Sequence, residues 1–103
     1  MAFHLSFSAR ALREVGAAHD WYAAQVPGLG NEFLAAIALQ IERLMQAPLL
    51  YAEVVPGVRR ALLPRFPYGL FFAVSGHRVQ VLAVLHQARD QQTWPAARTG
   101  EDS

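Results

Sequence analysis

Apolar and polar positions change rhythm twice along this chain. Phe3, Leu5 and Phe7 alternate with His4 and Ser6, the period-two pattern of a short, half-buried strand. Ser8 can cap a helix with its hydroxyl. From there the apolar spacing lengthens to three and four, placing Leu12, Val15, His19, Tyr22 and Val26 on one stripe of a helix over about 9–26. Pro27-Gly28-Leu29-Gly30 breaks it. A second helix starts near Asn31, repeats the spacing through Leu34, Ile37, Ile41, Leu44 and Met45, and ends at Pro48. Two amphipathic helices joined by so short a break predict an antiparallel helical hairpin.

The remainder reads as strands: 58–63, 68–75 and 78–86. Ser75-Gly76-His77 suits a tight hairpin connection between the last two, whereas Pro64 and Pro67 keep the first pair from joining directly. The order is β-α-α-β-β-β. It predicts an α+β fold, an antiparallel sheet with an N-terminal helical hairpin packed on one face. Residues 1–95 form one domain, Trp94-Pro95 is the last anchor, and 96–103 fray. Strands 68–74 and 79–85 are apolar on both faces, yet two helices cover only one. The other face is expected to stay exposed unless the C-terminal tail or a partner covers it.

Composition narrows the class. At 103 residues the chain makes one domain, and 53% hydrophobic with 17% charged residues excludes a disordered one. No stretch reaches the roughly 18–20 apolar residues of a membrane helix. The first ten residues carry no export signal, so the cytoplasm is expected and no membrane partner. Without cysteine there is no disulfide and no thiolate metal site. A net charge of +1 excludes coating nucleic acid by charge alone, and sequence-specific DNA binding by this chain is not expected. All nine basic residues are Arg, which excludes chemistry that needs a Lys base, Schiff base or phosphate-loop Lys.

Candidate chemistry gathers late in the chain. Arg59, Arg60 and Arg65 lie on and after the first strand of the sheet, where guanidinium forks suit phosphate or partner carboxylates. Adjacent strand residues point to opposite faces, so Arg59 and Arg60 cannot both share a face with Arg78. His86 ends the last strand, followed by Arg89 and Asp90, and a His there can serve as acid, base or contact. His4, His19 and His77 have weaker claims and no metal spacing. Glu14, Glu32 and Glu42 lie on the helices, away from the Arg-rich strands in sequence. Glu53, in the loop before the strands, is the carboxylate placed to join His86 and an Arg. No cofactor or nucleotide motif occurs. The residues alone describe an interaction module or a weak active site.

Three segments carry a family resemblance. Trp21-Tyr22 with the run Pro27 to Leu34, the run Val58 to Tyr68 ("vRR-x-LL-x-RFPY"), and the run Val81 to Asp90 ("A-V-x-H-x-x-R-D") together resemble the RelE/ParE toxin superfamily, most closely its ParE branch. The resemblance spans about residues 3–94 in order. Trp21, Tyr22, Phe33, Phe66 and Tyr68 are typical of the family and read here as core and helix–sheet packing.

The resemblance implies the toxin of a type II toxin–antitoxin pair, a growth inhibitor of the kind used in plasmid stabilisation. Its cognate antitoxin would wrap it with a helix and an extended segment. ParE-like members poison DNA gyrase by binding, with no chemistry of their own. RelE-like members enter the ribosome and cut messenger RNA with basic residues, sometimes with a Glu and a His, as acid and base. This chain has Gly69 where those members carry an Arg on the middle strand, and it lacks their lysines, so the scissile phosphate would have no preorganised cation. The expectation is a gyrase-binding toxin in which Arg59, Arg60, Arg65, His86, Arg89 and Asp90 contact target or antitoxin. A ribosome-dependent endoribonuclease, with His86 as acid–base and Arg65 or Arg60 holding phosphate, is the alternative. A toxin-like module that only binds its antitoxin is a third.

Overall fold

The computed structural model describes residues 3–88. Strand β1 (His4–Phe7) leads into helix α1 (Ala9–Gln25), then α2 (Leu29–Gln46), a 3-10 turn (Pro48–Leu50), and strands β2 (Glu53–Val55), β3 (Val58–Leu62), β4 (Tyr68–Ser75) and β5 (Arg78–His86). The sheet has the order β1-β5-β4-β3-β2. The α+β class and the hairpin on one sheet face are as expected. The sheet itself is mixed: β2 to β5 form an antiparallel meander, but β1 runs parallel to β5, with His4 opposite Arg78 and Phe7 opposite Val81. Local pattern cannot choose this neighbour. It is set by the hand-over into α1, since the Ser8 amide donates to the Val81 carbonyl at 2.9 Å.

Ser8 makes that junction with its amide and its hydroxyl. Its Oγ accepts from the Ala11 amide at 3.0 Å, capping α1, and donates to the Leu82 carbonyl at 2.8 Å. Gly28 then adopts φ +86° and lets α2 begin at Leu29, two residues before the expected start. The buried side of α1 differs from the expected stripe. Ala11, Ala18 and Tyr22 face the core, while Leu12 and Val26 are exposed. Small residues win because α1 lies close on its neighbours, and bulk there would hold the helices apart. On α2, Gly30, Phe33, Ile37, Gln40 and Leu44 face inward, and Leu34 turns to solvent.

Two apolar clusters lie on opposite faces of the sheet. Ala61, Leu63, Tyr68, Leu70, Phe72, Val79, Val81 and Val84 pack with the helices. Val58, Phe71, Ala83 and Leu85 form the second, bordered by Val54, Val55 and Leu82. Those four are buried. The strand β5 changes face between the clusters. Phe71 pairs with Ala83 and Phe72 with Val81, so Leu82 is the extra residue of a bulge. Before it odd positions face the helices; after it Val84 does.

Candidate functional site

Among the described residues, Arg59, Arg60, Arg65 and His86 do not converge. Arg59 and Arg60 are neighbours on β3, and the pairing puts Arg59 opposite Phe72 on the helix side and Arg60 opposite Phe71 on the far side. The Arg59 Nη1 donates to the carbonyls of Leu49, at 3.1 Å, and Tyr51, so this guanidinium secures the 3-10 turn. Arg65 leaves the β3–β4 loop toward α2, where its Nη2 meets Glu32 Oε1 at 2.9 Å, and its Cζ lies 5.5 Å from the Phe66 ring centre. Glu32, set apart from the arginines in sequence, is thus brought to one of them. This ion pair is exposed at both ends and contributes little to stability.

His86 closes β5 on the helix side. Its ring stands edge-on to Tyr68, centroids 5.2 Å apart, and its Nδ1 accepts the Ala88 amide at 3.1 Å. Glu53 is not its neighbour, contrary to expectation: it sits in β2 opposite Arg59, with β3 and β4 between it and β5. Arg60 is also remote. It lies two strands over and three residues back, a backbone separation of about 14 Å, with its side chain on the other face. His4 and His77 flank β1 and the last hairpin; the His19 Nδ1 lies 2.9 Å from Asp20. Among the described residues, no group of three or more His, Cys, Asp or Glu is placed to hold a metal ion. Arg89 and Asp90 lie outside the described residues.

What does gather around His86 is aromatic. Trp21, Tyr22, Pro67, Tyr68 and His86 line a half-open groove of about 400 Å³ at the C-terminal end of α1. Its floor is a knot of rings: Tyr22 lies 5.4 Å from Phe33, 5.0 Å from Phe66 and 6.2 Å from Tyr68. Their tilted and edge-on arrangement is the favoured one for aromatic pairs. Four of the five family-typical aromatics are core as expected. Trp21 is not: it is 57% exposed and stands edge-on to Tyr22 at the groove wall. Its place one residue before the buried Tyr22 was the available signal, since that step turns it about 100° off the buried stripe.

A second groove of about 420 Å³ runs along α2 against the β3–β4 loop, with Ala35, Ala36, Leu39 and Pro64 as apolar lining and Arg43, Glu32 and Arg65 at its rim. His86 and Arg65 therefore face different recesses. No helix among the described residues is long and apolar enough to cross a membrane.

The family model of the ParE toxin of the type II toxin–antitoxin system, parDE, matches residues 5–91. The chromosomal ParDE system from P. aeruginosa is similar in structure, with a TM-score of 0.73 at 27% identity over 82% of this chain and 96% of that one. The isolated E. coli RelE toxin is similar with a TM-score of 0.58 at 17% identity, over 95% of this chain and 98% of that one. A mutant RelE from E. coli in complex with an antitoxin RelBc peptide gives 0.51 at 21%, over 94% and 95%. The two RelE likenesses bear on fold alone. No curated protein matches the chain.

Proposed function

Since the chain belongs to the ParE toxin family of type II toxin–antitoxin systems, we propose that it arrests growth by binding DNA gyrase and that a cognate antitoxin neutralises it. One observation carries the choice of target. Among the described residues, the cations that an RNA-cleaving site would draw on, Arg59, Arg60 and Arg65, lie apart from His86. Arg59 is occupied by backbone carbonyls, Arg65 by Glu32, and Arg60 projects from the face opposite His86. Phosphodiester cleavage needs its cation and its acid or base within hydrogen-bond reach of one phosphate. A binding toxin needs only surface, and the aromatic groove with its exposed Trp21 supplies an anchor of the kind that dominates interfaces. Arg60, Arg65 and His86, with Arg89 and Asp90, are the proposed contacts to target or antitoxin. Arg59 acts on the fold that presents them.

The test uses antitoxin-free protein in gyrase supercoiling and cleavage-complex assays. Inhibition with accumulation of cleaved DNA is expected, and His86→Ala, which trims one contact of the groove, should weaken it without abolishing it. Folded toxin that leaves gyrase untouched while cutting translated messenger RNA, with loss of cutting in His86→Ala, would overturn the proposal.

A further inference from the structure

The groove has one wall on α1 and another on β5, and these belong to opposite ends of the chain. Strand β1 cannot hold them together, because it stops at Phe7 opposite Val81 while β5 runs on to His86. Beyond that point β5 would present bare carbonyl and amide groups along its edge. Two side chains take the place of the missing strand. The Ser8 hydroxyl donates to the Leu82 carbonyl at 2.8 Å. The Glu14 Oε1, from the second turn of α1, accepts the Val84 amide at 2.8 Å across 70 residues of sequence.

We propose that Glu14 is a positioning residue: its carboxylate bonded to the Val84 amide holds the end of β5 against α1 and so sets the width of the groove between Trp21 and His86. The proposal rests on the reading of that groove as a contact surface. Three observations support it. The bond lies between the end of β1 and the groove, with Val84 two residues before His86 and Glu14 two helical turns before Trp21 and Tyr22. It sits just past the Leu82 bulge, where ladder pairing is disrupted and the strand is freest to swing. The Glu14 side chain is only 23% exposed, and an amide donating to a partly buried carboxylate forms a stronger bond than a neutral pair does. The second oxygen, Oε2, accepts from Arg10 Nε at 3.0 Å one turn earlier, which fixes the carboxylate's rotation.

The experiment compares Glu14→Ala and Glu14→Gln with the parent in the full chain. Gln keeps an oxygen that can accept the Val84 amide; Ala does not. Amide exchange at Val84, the His86 ring resonances and Trp21 fluorescence report the geometry, and growth arrest on induction reports toxicity. In Glu14→Ala, Val84 exchange should rise at least ten-fold, and the His86 and Trp21 signals should shift. Glu14→Gln should restore all three to near the parent values. Unchanged His86 and Trp21 signals in a folded Glu14→Ala protein would overturn the inference, as would a Gln variant that behaves like Ala. Should Glu14→Ala fail to fold, the Gln variant alone decides: a folded protein with parental signals supports the role, and displaced signals refute it. Shifted signals with full growth arrest would support the positioning role and count instead against the groove as the toxic surface.

Discussion

At Gly30 the second helix lies close against His19 of the first, and replacing it gives a sharp test of the packing. A Cβ built on Gly30 would lie 2.8 Å from the His19 carbonyl oxygen, 2.8 Å from its Cδ2 and 2.9 Å from its Nε2. Carbon sits comfortably at about 3.5–4.0 Å from such atoms. The ring of His19 can turn away, but its carbonyl belongs to the α1 backbone, so Gly30→Ala must push the helices apart. Overpacking of this kind costs about 1–3 kcal/mol. Against it stands the gain from replacing a helical Gly by Ala, at most about 1 kcal/mol. Gly16 isolates that gain, because it lies exposed on α1 with nothing within 4 Å of a Cβ. Gly16→Ala should therefore raise stability by about 0.5–1 kcal/mol, and Gly30→Ala should lower it by up to about 2. At roughly 4–8 °C per kcal/mol for a domain of this size, the two variants should differ in Tm by at least about 4 °C. Thermal unfolding followed by circular dichroism measures this directly. Equal stabilisation by both substitutions would refute the close approach.

Two further expectations concern side chains that bond to backbone. Arg59→Ala strips the Leu49 and Tyr51 carbonyls of their donor and should cost about 1–3 kcal/mol in urea unfolding, and Arg59→Lys should recover only part because a single ammonium lacks the fork. An unchanged midpoint in Arg59→Ala would return this residue to the pool of surface contacts. Ser8→Ala removes the α1 cap and the donor to Leu82 together and should cost about 1–2 kcal/mol, whereas Ser8→Thr keeps the hydroxyl and should cost less. Equal losses for the two would show that the hydroxyl is not what matters.

Much of the architecture was legible because it is local. The strands at 58–62, 68–75 and 78–86 announce themselves by apolar runs between Pro and Gly signals, and the helix pair by its spacing of three and four. The misses are of another kind. Leu12 and Val26 look like core by hydrophobicity, yet the side of α1 that approaches its neighbours needs Ala11 and Ala18, and only the distance between elements decides that. Strand β2 is three residues long, too short for a periodic signal, and the partner of β1 lies at the other end of the chain. His86 was readable as a strand end, but the bulge that sets its face was not. Nor was the Glu14 bond to Val84, because a carboxylate serving a distant amide leaves no local trace. The arginines were visible as a cluster in sequence, and pleating then divided Arg59 from Arg60.

The stopped edge of β5 bears on how this chain keeps from pairing with copies of itself. An open strand edge is a template onto which any extended chain can add, and addition between identical copies is how soluble proteins become fibrils. Here the stretch beyond Phe7 is plugged by a hydroxyl and a carboxylate from within the same chain. The strands left at the two edges of the sheet, β1 and β2, are four and three residues long. The described sheet thus offers little purchase for copying itself.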